Sequence, residues 1–279
     1  KMFLTRLGEG TRAVVTGAAS GLGKALSLEL AARGCDLLLL DLQEAPLAEV
    51  KAEVEGHGVR AEVFVGDVSK MKVLEQAAAH GLATLGPVNF LANNAGVAVS
   101  GPFEEISLED WEWIVGINLW GVIYGCRAFV PQLRTSGGGA ILNVASAAGL
   151  LNAPRMSPYN VTKAAVISLS ETLSTEYARE KISVSALCPT FFETSILEDA
   201  RGIFRPREKK LASSMMKRSK VQAPDVAKIA IDQALAGKST IVPMNDGRWL
   251  WRLKRMTPEG FPRFARMAYE RGRQKIDGS

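Results

Sequence analysis

Cysteine is scarce in this sequence, since its 279 residues contain only Cys35, Cys126 and Cys188. An odd number of widely separated cysteines excludes a small scaffold held together by disulfides. It also lacks the paired spacing of a structural zinc site. We therefore expect reduced thiols, no metal site and a cytoplasmic location.

Long hydrophobic runs are also missing, because no apolar stretch approaches the roughly 18 residues that a membrane-spanning helix needs. The first ten residues carry Lys1, Arg6 and Glu9 and lack the apolar run of a signal peptide. With 47% hydrophobic and 23% charged residues, the composition excludes a disordered chain and predicts a soluble globular protein.

The basic charge of the chain is confined to two late segments. Residues 201–220 have a net charge of +7 and residues 247–279 of +6, whereas the remainder has a net charge of −8. This distribution argues against a general nucleic-acid-binding surface, and no nucleic acid is expected as a partner.

Short apolar runs alternate with longer helical stretches over the first two thirds of the chain. The predicted strands cover residues 13–16, 37–40, 61–65, 88–92, 140–145, 183–187 and 240–242. This alternation predicts an α/β fold, a doubly wound parallel sheet with helices on both faces, whose ligands bind beyond the carboxyl ends of the strands. We expect a single domain over residues 8–245, with a substrate lid at about 190–222. A basic, aromatic C-terminal tail follows over 246–279.

A glycine-rich turn follows the first predicted strand. Glycines permit a tight turn and let the backbone approach a pyrophosphate, which the following helix faces with its free N–H groups. The candidate cofactor-binding residues of this turn are Gly17, Ser20, Gly21, Leu22 and Gly23. The position between a strand and a helix favours nucleotide binding over an ordinary glycine loop.

Asp41 ends the second predicted strand, 24 residues after Gly17. A carboxylate there can accept both ribose hydroxyls of an adenosine and repels a 2′-phosphate, and the neighbouring Leu42 offers that phosphate no cation. We therefore predict NAD as the cofactor in preference to NADP. The alternative is that Asp41 merely caps a turn. Asp67 and Val68, after the third strand, are candidates for the adenine contact, again with capping as the alternative.

Asn94, Ala95 and Gly96 follow the fourth predicted strand. The small residues would allow the backbone to approach a cofactor closely. Asparagine also ties strand ends together, so an architectural role for this segment stays open.

Tyr159 and Lys163 lie four residues apart, which places a phenol and an ammonium group on one face of a helix. A neighbouring cation stabilises a phenolate and would lower the pKa of Tyr159 from its ordinary value of about 10, making it a competent general acid/base. Ser146, just beyond the fifth strand, can bond the same substrate oxygen, and Asn118 joins the group. A Tyr/Lys pair at this spacing is otherwise often a solvated surface pair.

Taken together, these motifs resemble the short-chain dehydrogenase/reductase family over roughly residues 8–245. The motifs that carry the resemblance are TGAASGLG at 16–23, NNAG at 93–96, Asn118, Ser146, YNVTK at 159–163, and Pro189 with Thr194. The resemblance implies a seven-stranded Rossmann sheet and hydride transfer to or from a nicotinamide.

The resemblance also assigns roles to single residues. Asn118, Ser146, Tyr159 and Lys163 would be the catalytic tetrad, with Lys163 also binding the nicotinamide ribose and Asn118 holding a water of a proton relay. The loop residues expected at the cofactor are Pro189, Phe192 and Thr194, with Thr194 beside the carboxamide. One departure is Thr190, because the family usually has glycine at this position.

The predicted function is an NAD-dependent oxidoreductase that acts on a secondary alcohol or ketone, with a lipophilic substrate. The alternatives are a 3-oxoacyl-carrier reductase, which NADPH preference would favour, and a non-catalytic dinucleotide sensor. The resemblance implies a homodimer or homotetramer. The mixture of bases and large apolar residues in lid and tail leads to the hypothesis of peripheral membrane contact.

Overall fold

The computed structural model describes residues 7–8, 10–194, 196, 200–203 and 206–277. Its centre is a parallel sheet of seven strands in the order β3-β2-β1-β4-β6-β7-β9. These strands are β1 (Arg12–Thr16), β2 (Asp36–Asp41), β3 (Ala61–Val65), β4 (Phe90–Asn93), β6 (Gly139–Val144), β7 (Ile182–Leu187) and β9 (Thr240–Ile241). Two short strands, β5 (Val99–Ser100) and β8 (Arg201–Gly202), pair in parallel outside this sheet.

Helices cover both faces of the sheet, as the apolar strands predict. In chain order they are α1 (Gly21–Ala32), α2 (Glu44–Glu55), α3 (Met71–Thr84), α4 (Leu108–Val115), α5 (Gly121–Thr135), α6 (Ala147–Leu151), α7 (Ser157–Glu176), α8 (Pro206–Arg218), α9 (Ala223–Leu235), α10 (Asn245–Met256) and α11 (Gly260–Asp277). Alternate residues of β2 point into two hydrophobic cores on opposite faces of the sheet. Leu37 and Leu39 pack in one core with α1, α2 and α9. Leu38 and Leu40 pack in the other core with α3, α5 and α7. The doubly wound α/β prediction is confirmed.

Two predicted boundaries shift for identifiable reasons. Strand β4 begins at Phe90 rather than at 88, because the Val88 N–H donates to the side chain of Gln132 instead of to a neighbouring strand. The apolar pattern of the sequence predicts a helix over 157–180, but α7 ends at Glu176, since a 3₁₀ turn and the left-handed Lys181 lead the chain into β7.

One helix corrects the expectation that no apolar stretch is long enough to cross a membrane. Residues Leu108–Thr135 form a continuous helix, α4 and α5 joined by a π-helical turn, whose length and composition meet that criterion. Packing explains its apolar character, because residues such as Val122, Phe129 and Leu133 lie in the core against α3 and the sheet.

The sheet order reverses direction between β1 and β4, since the chain passes from β1 outward to β3 and then returns to β4 on the other side. The carboxyl ends of neighbouring strands diverge into a crevice at such a point. The turns after β1, β4 and β6 meet there, and they carry the residues singled out in the sequence.

The predicted lid and tail have their own structure. Within the predicted lid, residues 195, 197–199 and 204–205 lie outside the described residues. Its described part includes β8, where the Arg201 N–H donates to Ala98 O and the Ile203 N–H to Ser100 O. The predicted tail forms α10 and α11, of which α10 packs against α6.

Candidate active site

The turn after β1 needs glycine at two positions for steric reasons. Gly17 has a left-handed φ of +65°, and a Cβ there would lie 2.8 Å from Ala95 Cα. A Cβ on Gly23 would overlap the carbonyl oxygen of Gly17. At Gly21, where α1 begins, a Cβ would meet only Thr194 Cβ, at 3.9 Å. The turn is thus closed against the β4 turn but open above the helix N-terminus, where N–H groups can bind an anion.

Asn94 fastens the two turns together. Its side-chain Nδ2 donates to the carbonyl oxygens of Thr16 and Gly17, each at 3.0 Å. The Thr16 hydroxyl accepts from the backbone N–H of Asn94 at 3.0 Å and of Ala95 at 3.1 Å. The hydrogen bonds of the Asn94 side chain are therefore those of an architectural residue that ties strand ends together. Sequence analysis did not single out Thr16, although it precedes the first glycine of the motif.

Asp41 is held by two backbone groups. One carboxylate oxygen accepts from the N–H of Ala19 in the glycine-rich turn and the other from the N–H of Gln43, both at 3.0 Å. Because a carboxylate has about four acceptor positions, two remain for ribose hydroxyls. Leu42 beside it is largely exposed and, at the end of β2, supplies no cation for a phosphate.

Asp67 caps its own loop, with its carboxylate accepting from the backbone N–H and the hydroxyl of Ser69, both at 2.8 Å. Val68 is buried and lies close to Gly121 of α5, where a Cβ would come within 3.0 Å of it. The capping alternative accounts for the contacts of Asp67, and packing accounts for those of the Val68 side chain.

Asn118 is fully buried in the π-helical turn between α4 and α5. Its side chain pairs with the backbone of Val97, accepting from the N–H at 2.8 Å and donating to the carbonyl at 2.9 Å. It also donates to the hydroxyl of Thr162 at 3.3 Å. Asn118 thereby ties the loop after β4 to the helix that carries Tyr159.

Gly96 lies against two of the predicted catalytic residues. A Cβ on Gly96 would come within 3.2 Å of Lys163 Nζ and 3.3 Å of Asn118 Oδ1. A larger side chain would therefore displace the Lys163 ammonium, so the glycine of the β4 turn is required by the site itself.

The side chains of Ser146 and Tyr159 face each other closely enough to interact. Ser146 also caps α6, and its hydroxyl oxygen accepts from the N–H of Ala148 at 3.1 Å. Burial raises the pKa of the Tyr159 phenol above its ordinary value, while the interaction with Ser146 opposes that rise. Tyr159 is therefore a neutral phenol at physiological pH.

Lys163 is buried and donates to the carbonyl oxygen of Val144, the last residue of β6, at 2.8 Å. Its Nζ lies 5.7 Å from the centroid of the Tyr159 ring, and burial lowers the pKa of the ammonium to about 8. The expected lowering of the Tyr159 pKa by this cation is thus wrong for this arrangement, because burial dominates and the ammonium is directed at a carbonyl. The sequence gives no signal for the role of Val144.

The loop after β7 closes the site on its other side. The Pro189 carbonyl accepts from the Ala147 N–H at 2.9 Å, which joins this loop to α6. Phe192 is buried in the core beneath the glycine-rich turn, so its side chain packs rather than faces outward. Thr194 accepts from the N–H of Ile196 at 3.1 Å and lies near Gly21.

Thr190, the departure from the family pattern, contacts the C-terminal helix α10. Its hydroxyl lies 3.2 Å from the carboxylate of Asp246, to which it donates. Its methyl group fills the space beside Gly247, where a Cβ would come within 2.6 Å of it. The extra atoms of threonine therefore hold the start of α10 against the loop.

These features fit a dinucleotide better than a metal. The glycine cradle leaves space at a helix N-terminus, as a pyrophosphate requires, and Asp41 with free acceptor positions stands at the end of the next strand. Within the described part of the chain, no group of three His, Cys, Asp or Glu residues could hold a metal ion.

Comparisons with known proteins agree with this arrangement. Residues 11–202 match the family model described as short chain dehydrogenase. The chain is 31% identical over 237 residues to the oxidoreductase SadH of Mycobacterium tuberculosis, covering 84% of this chain and 86% of the relative. It is 31% identical over 189 residues to gluconate 5-dehydrogenase of Gluconobacter oxydans, covering 68% and 74% respectively.

Among solved structures, a short chain dehydrogenase/reductase from Burkholderia phymatum in complex with NAD superimposes with a TM-score of 0.83. It is 32% identical in sequence, over 91% of this chain and 95% of that one. The family model covers well over half of the 279 residues, and the sheet has the seven strands that the resemblance implies. This chain belongs to the short-chain dehydrogenase family.

Proposed function

We propose that the protein is an NAD-dependent oxidoreductase that interconverts a secondary alcohol and the corresponding ketone, with Tyr159 as the general acid/base. The observation that carries the proposal is the facing pair of Ser146 and Tyr159 with Lys163 behind it, next to a cradle suited to a dinucleotide. NAD supplies the hydride acceptor when it is bound, and NADH the donor in the reverse direction.

The chain's own residues then handle the substrate oxygen and its proton. As a neutral phenol, Tyr159 can donate its proton to the oxygen of a ketone as that oxygen gains negative charge, and Ser146 can hydrogen-bond the same oxygen. Lys163 is cationic below about pH 8 and lies 5.7 Å from the centroid of the Tyr159 ring, with its ammonium held at the Val144 carbonyl. Asn118 positions the Val97 loop and, through Thr162, the helix of Tyr159.

Replacing Tyr159 by phenylalanine tests the acid/base role. The variant keeps the aromatic packing but loses the proton, so we expect kcat to fall by about 100-fold or more with little change in NADH affinity. Tyr177→Phe, on α7's C-terminal side away from the site, is the matched control and should retain turnover. Undiminished turnover of Tyr159→Phe would refute the assignment. A wild-type protein that binds NADH but oxidises no alcohol would favour the sensor alternative.

The preference for NAD over NADP is proposed to rest on Asp41 and Leu42. Asp41→Ala combined with Leu42→Arg removes the repulsion of a 2′-phosphate and adds a cation for it. Because a charge-assisted hydrogen bond contributes about 1.5–3 kcal/mol, we expect the NADP/NAD ratio of kcat/KM to rise at least about tenfold. Wild-type protein that binds NADPH more tightly than NADH would refute this reading and favour the carrier-linked reductase.

A lipophilic substrate is supported by the surroundings of Tyr159. Its ring packs in a cluster of apolar residues from the loops after β4 and β6 and from the lid, including Val97, Ile106, Met156 and Ile196. An apolar wall binds hydrocarbon better than a polyol, whose hydroxyls would lose hydrogen bonds to water. We expect higher kcat/KM with hydrophobic secondary alcohols than with sugar alcohols across a substrate panel.

Trp120, which stacks on Tyr124, and Val161 of α7 are both exposed. We propose that the surface around these two residues is the interface of a homodimer or homotetramer. Light scattering of wild-type protein and of Trp120→Ser tests this interface.

The buried free thiols of Cys35, Cys126 and Cys188 support a cytoplasmic location. Peripheral membrane contact through the tail is the second partner proposal.

A further inference from the structure

Helix α10 has one buried side and one exposed side. Gly247 is buried, and Leu250, Trp251 and Leu253 are half-buried against the domain. Beyond Asn245 and Asp246 in its first turn, the exposed residues of α10 are Arg248, Trp249, Arg252, Arg255 and Met256. Their spacing of one, four, seven and eight residues from Arg248 places them on one face of the helix. Trp249 is 61% exposed and Met256 82%, which is a large unburied apolar area for so short a helix.

Helix α11 repeats this composition. Phe261 is buried, whereas the exposed residues include Arg263, Phe264, Arg266, Met267 and Arg271. Phe264, Met267 and Arg271 follow one another at helical spacing, and Arg263 and Arg266 flank them. We call these ten exposed residues of α10 and α11 the tail face.

The tail face is strongly cationic. Residues 248–271 contain seven Lys/Arg and two acids, Glu259 and Glu270, for a net charge of +5, while the chain outside its two basic segments has a net charge of −8. Only one of the acids, Glu270, forms a described ion pair on this face, with Arg266 at 3.4 Å. Arg248 donates to the carbonyl oxygens of Val242 and Pro243 at 2.8 and 2.7 Å. The charge that faces an anionic partner is therefore carried mainly by Arg252, Arg255, Arg263 and Arg271.

The other side of α10 is attached to the elements of the active site. Lys254 donates to the carbonyl oxygen of Leu150 at 2.6 Å, at the C-terminal end of α6, whose N-cap is Ser146. Thr190, in the loop after β7, donates to Asp246 at the start of α10. Since a helix with its side chains is about 10–12 Å across, the tail face lies about one helix diameter from these elements.

We infer that the tail face is a docking surface for an anionic lipid membrane. Aromatic and Met side chains interleaved with arginines match the interface of a bilayer, where the apolar groups enter the headgroup boundary and the guanidinium groups stay at the phosphates. A second copy of the chain is a poorer occupant, because a twofold contact would place the cationic tail faces against each other. Membrane docking does not depend on the proposed function. The purpose of docking does rest on the proposed function, since a membrane would be the source of a lipophilic substrate.

Co-sedimentation of the full-length protein with vesicles tests the inference. The probes are vesicles of phosphatidylcholine alone and of phosphatidylcholine with phosphatidylglycerol, at low and at physiological salt. We expect binding to the anionic vesicles to be at least about tenfold stronger than to the neutral ones and to weaken as salt is added.

Two tail-face variants separate the contributions. Trp249→Ser with Phe264→Ser removes apolar groups, and Arg252→Gln with Arg263→Gln removes charge; each should weaken anionic-vesicle binding by about tenfold or more. The matched control combines Leu82→Ser and Lys72→Gln, an exposed apolar residue and an exposed cation on α3, and should bind as wild type does.

Several results would overturn the inference. They are no binding to anionic vesicles at low salt, equal binding to both kinds of vesicle, or binding that the tail-face variants leave unchanged. Self-association without vesicles that the same variants abolish would assign the tail face to a second copy instead. Turnover of a water-soluble secondary alcohol without vesicles is measured alongside; if it persists while vesicle binding is absent, the docking inference fails and the proposed function stands.

Discussion

Adding a single methyl group at Gly247 provides a sharp test of how α10 is attached to the active-site loop. In Gly247→Ala the new Cβ would lie 2.6 Å from the methyl carbon of Thr190 and 3.1 Å from Val242 Cγ1. Thr190 cannot rotate its methyl away cheaply, because its hydroxyl donates to Asp246 and would have to move as well. The loop or the start of α10 must therefore shift.

The magnitude follows from two opposing terms. Glycine to alanine in a helix ordinarily stabilises a protein by up to about 1 kcal/mol. Overpacking a filled contact costs about 1–3 kcal/mol, and breaking the Thr190–Asp246 bond instead would cost about 0.5–1.5 kcal/mol. We expect a net loss of about 1 kcal/mol, which lowers Tm by about 2 °C in a chain of this size.

A thermal-unfolding comparison of five proteins tests whether the contact with Thr190 causes the loss. In a Thr190→Gly background the 2.6 Å clash with the methyl group is gone and only the 3.1 Å approach to Val242 Cγ1 is left, so Gly247→Ala should there lower Tm clearly less than in wild type. Gly260→Ala is the matched control, since its Cβ at the start of α11 would meet only Thr257, at 3.4 Å and beyond. If Gly247→Ala changes Tm equally in the wild-type and Thr190→Gly backgrounds, Thr190 does not contact Gly247 and the reasoning is wrong.

Three further predictions concern the cofactor turn and the buried ammonium. Lys163→Met should raise Tm of the cofactor-free protein below pH 8, because folding lowers the pKa of Lys163 from 10.5 to about 8 and so penalises the charged form. The gain should shrink as the pH rises from about 8 to 10.5; a Tm gain that does not depend on pH would contradict the burial argument. Gly23→Ala should abolish NADH binding measured by fluorescence, since its Cβ overlaps Gly17 O; binding at wild-type affinity would show that the turn is not closed. Thr16→Val leaves the N–H groups of Asn94 and Ala95 without their acceptor and should cost about 1–3 kcal/mol by urea unfolding; a stability equal to wild type would refute that role.

The sheet and the positions of the candidate site could be predicted from the sequence because both depend on local patterns. A run such as Leu37–Leu40 that is apolar at every position has to be buried on both faces, and the structure divides it between two cores. Glycine at 17 and 23 is required by the turn itself, so the motif alone indicates where the chain turns back. Tyr159 and Lys163 share a helix face through their spacing, without reference to the rest of the fold.

The electrostatics of the site could not be predicted in the same way. Spacing alone suggested that Lys163 lowers the pKa of Tyr159, but a pKa depends on burial and on which atom a charge approaches. The fold removes both groups from water and directs the ammonium to the Val144 carbonyl, 19 residues away along the chain. Leu42 was correctly expected to supply no cation at the end of β2, because that required only its identity.

Sequence by itself thus determined the α/β class, most of the strand positions and the glycine cradle, and it predicts the tetrad of Asn118, Ser146, Tyr159 and Lys163. Only the tertiary structure decided that Asn94 and Asp67 satisfy neighbouring backbone groups, that Phe192 is core, and that Thr190 is matched to Gly247 of α10. The physical reason is the range of the interactions. Backbone conformation and burial periodicity are set by neighbouring residues, whereas hydrogen-bond partners, desolvation and close packing depend on atoms that only folding brings into contact.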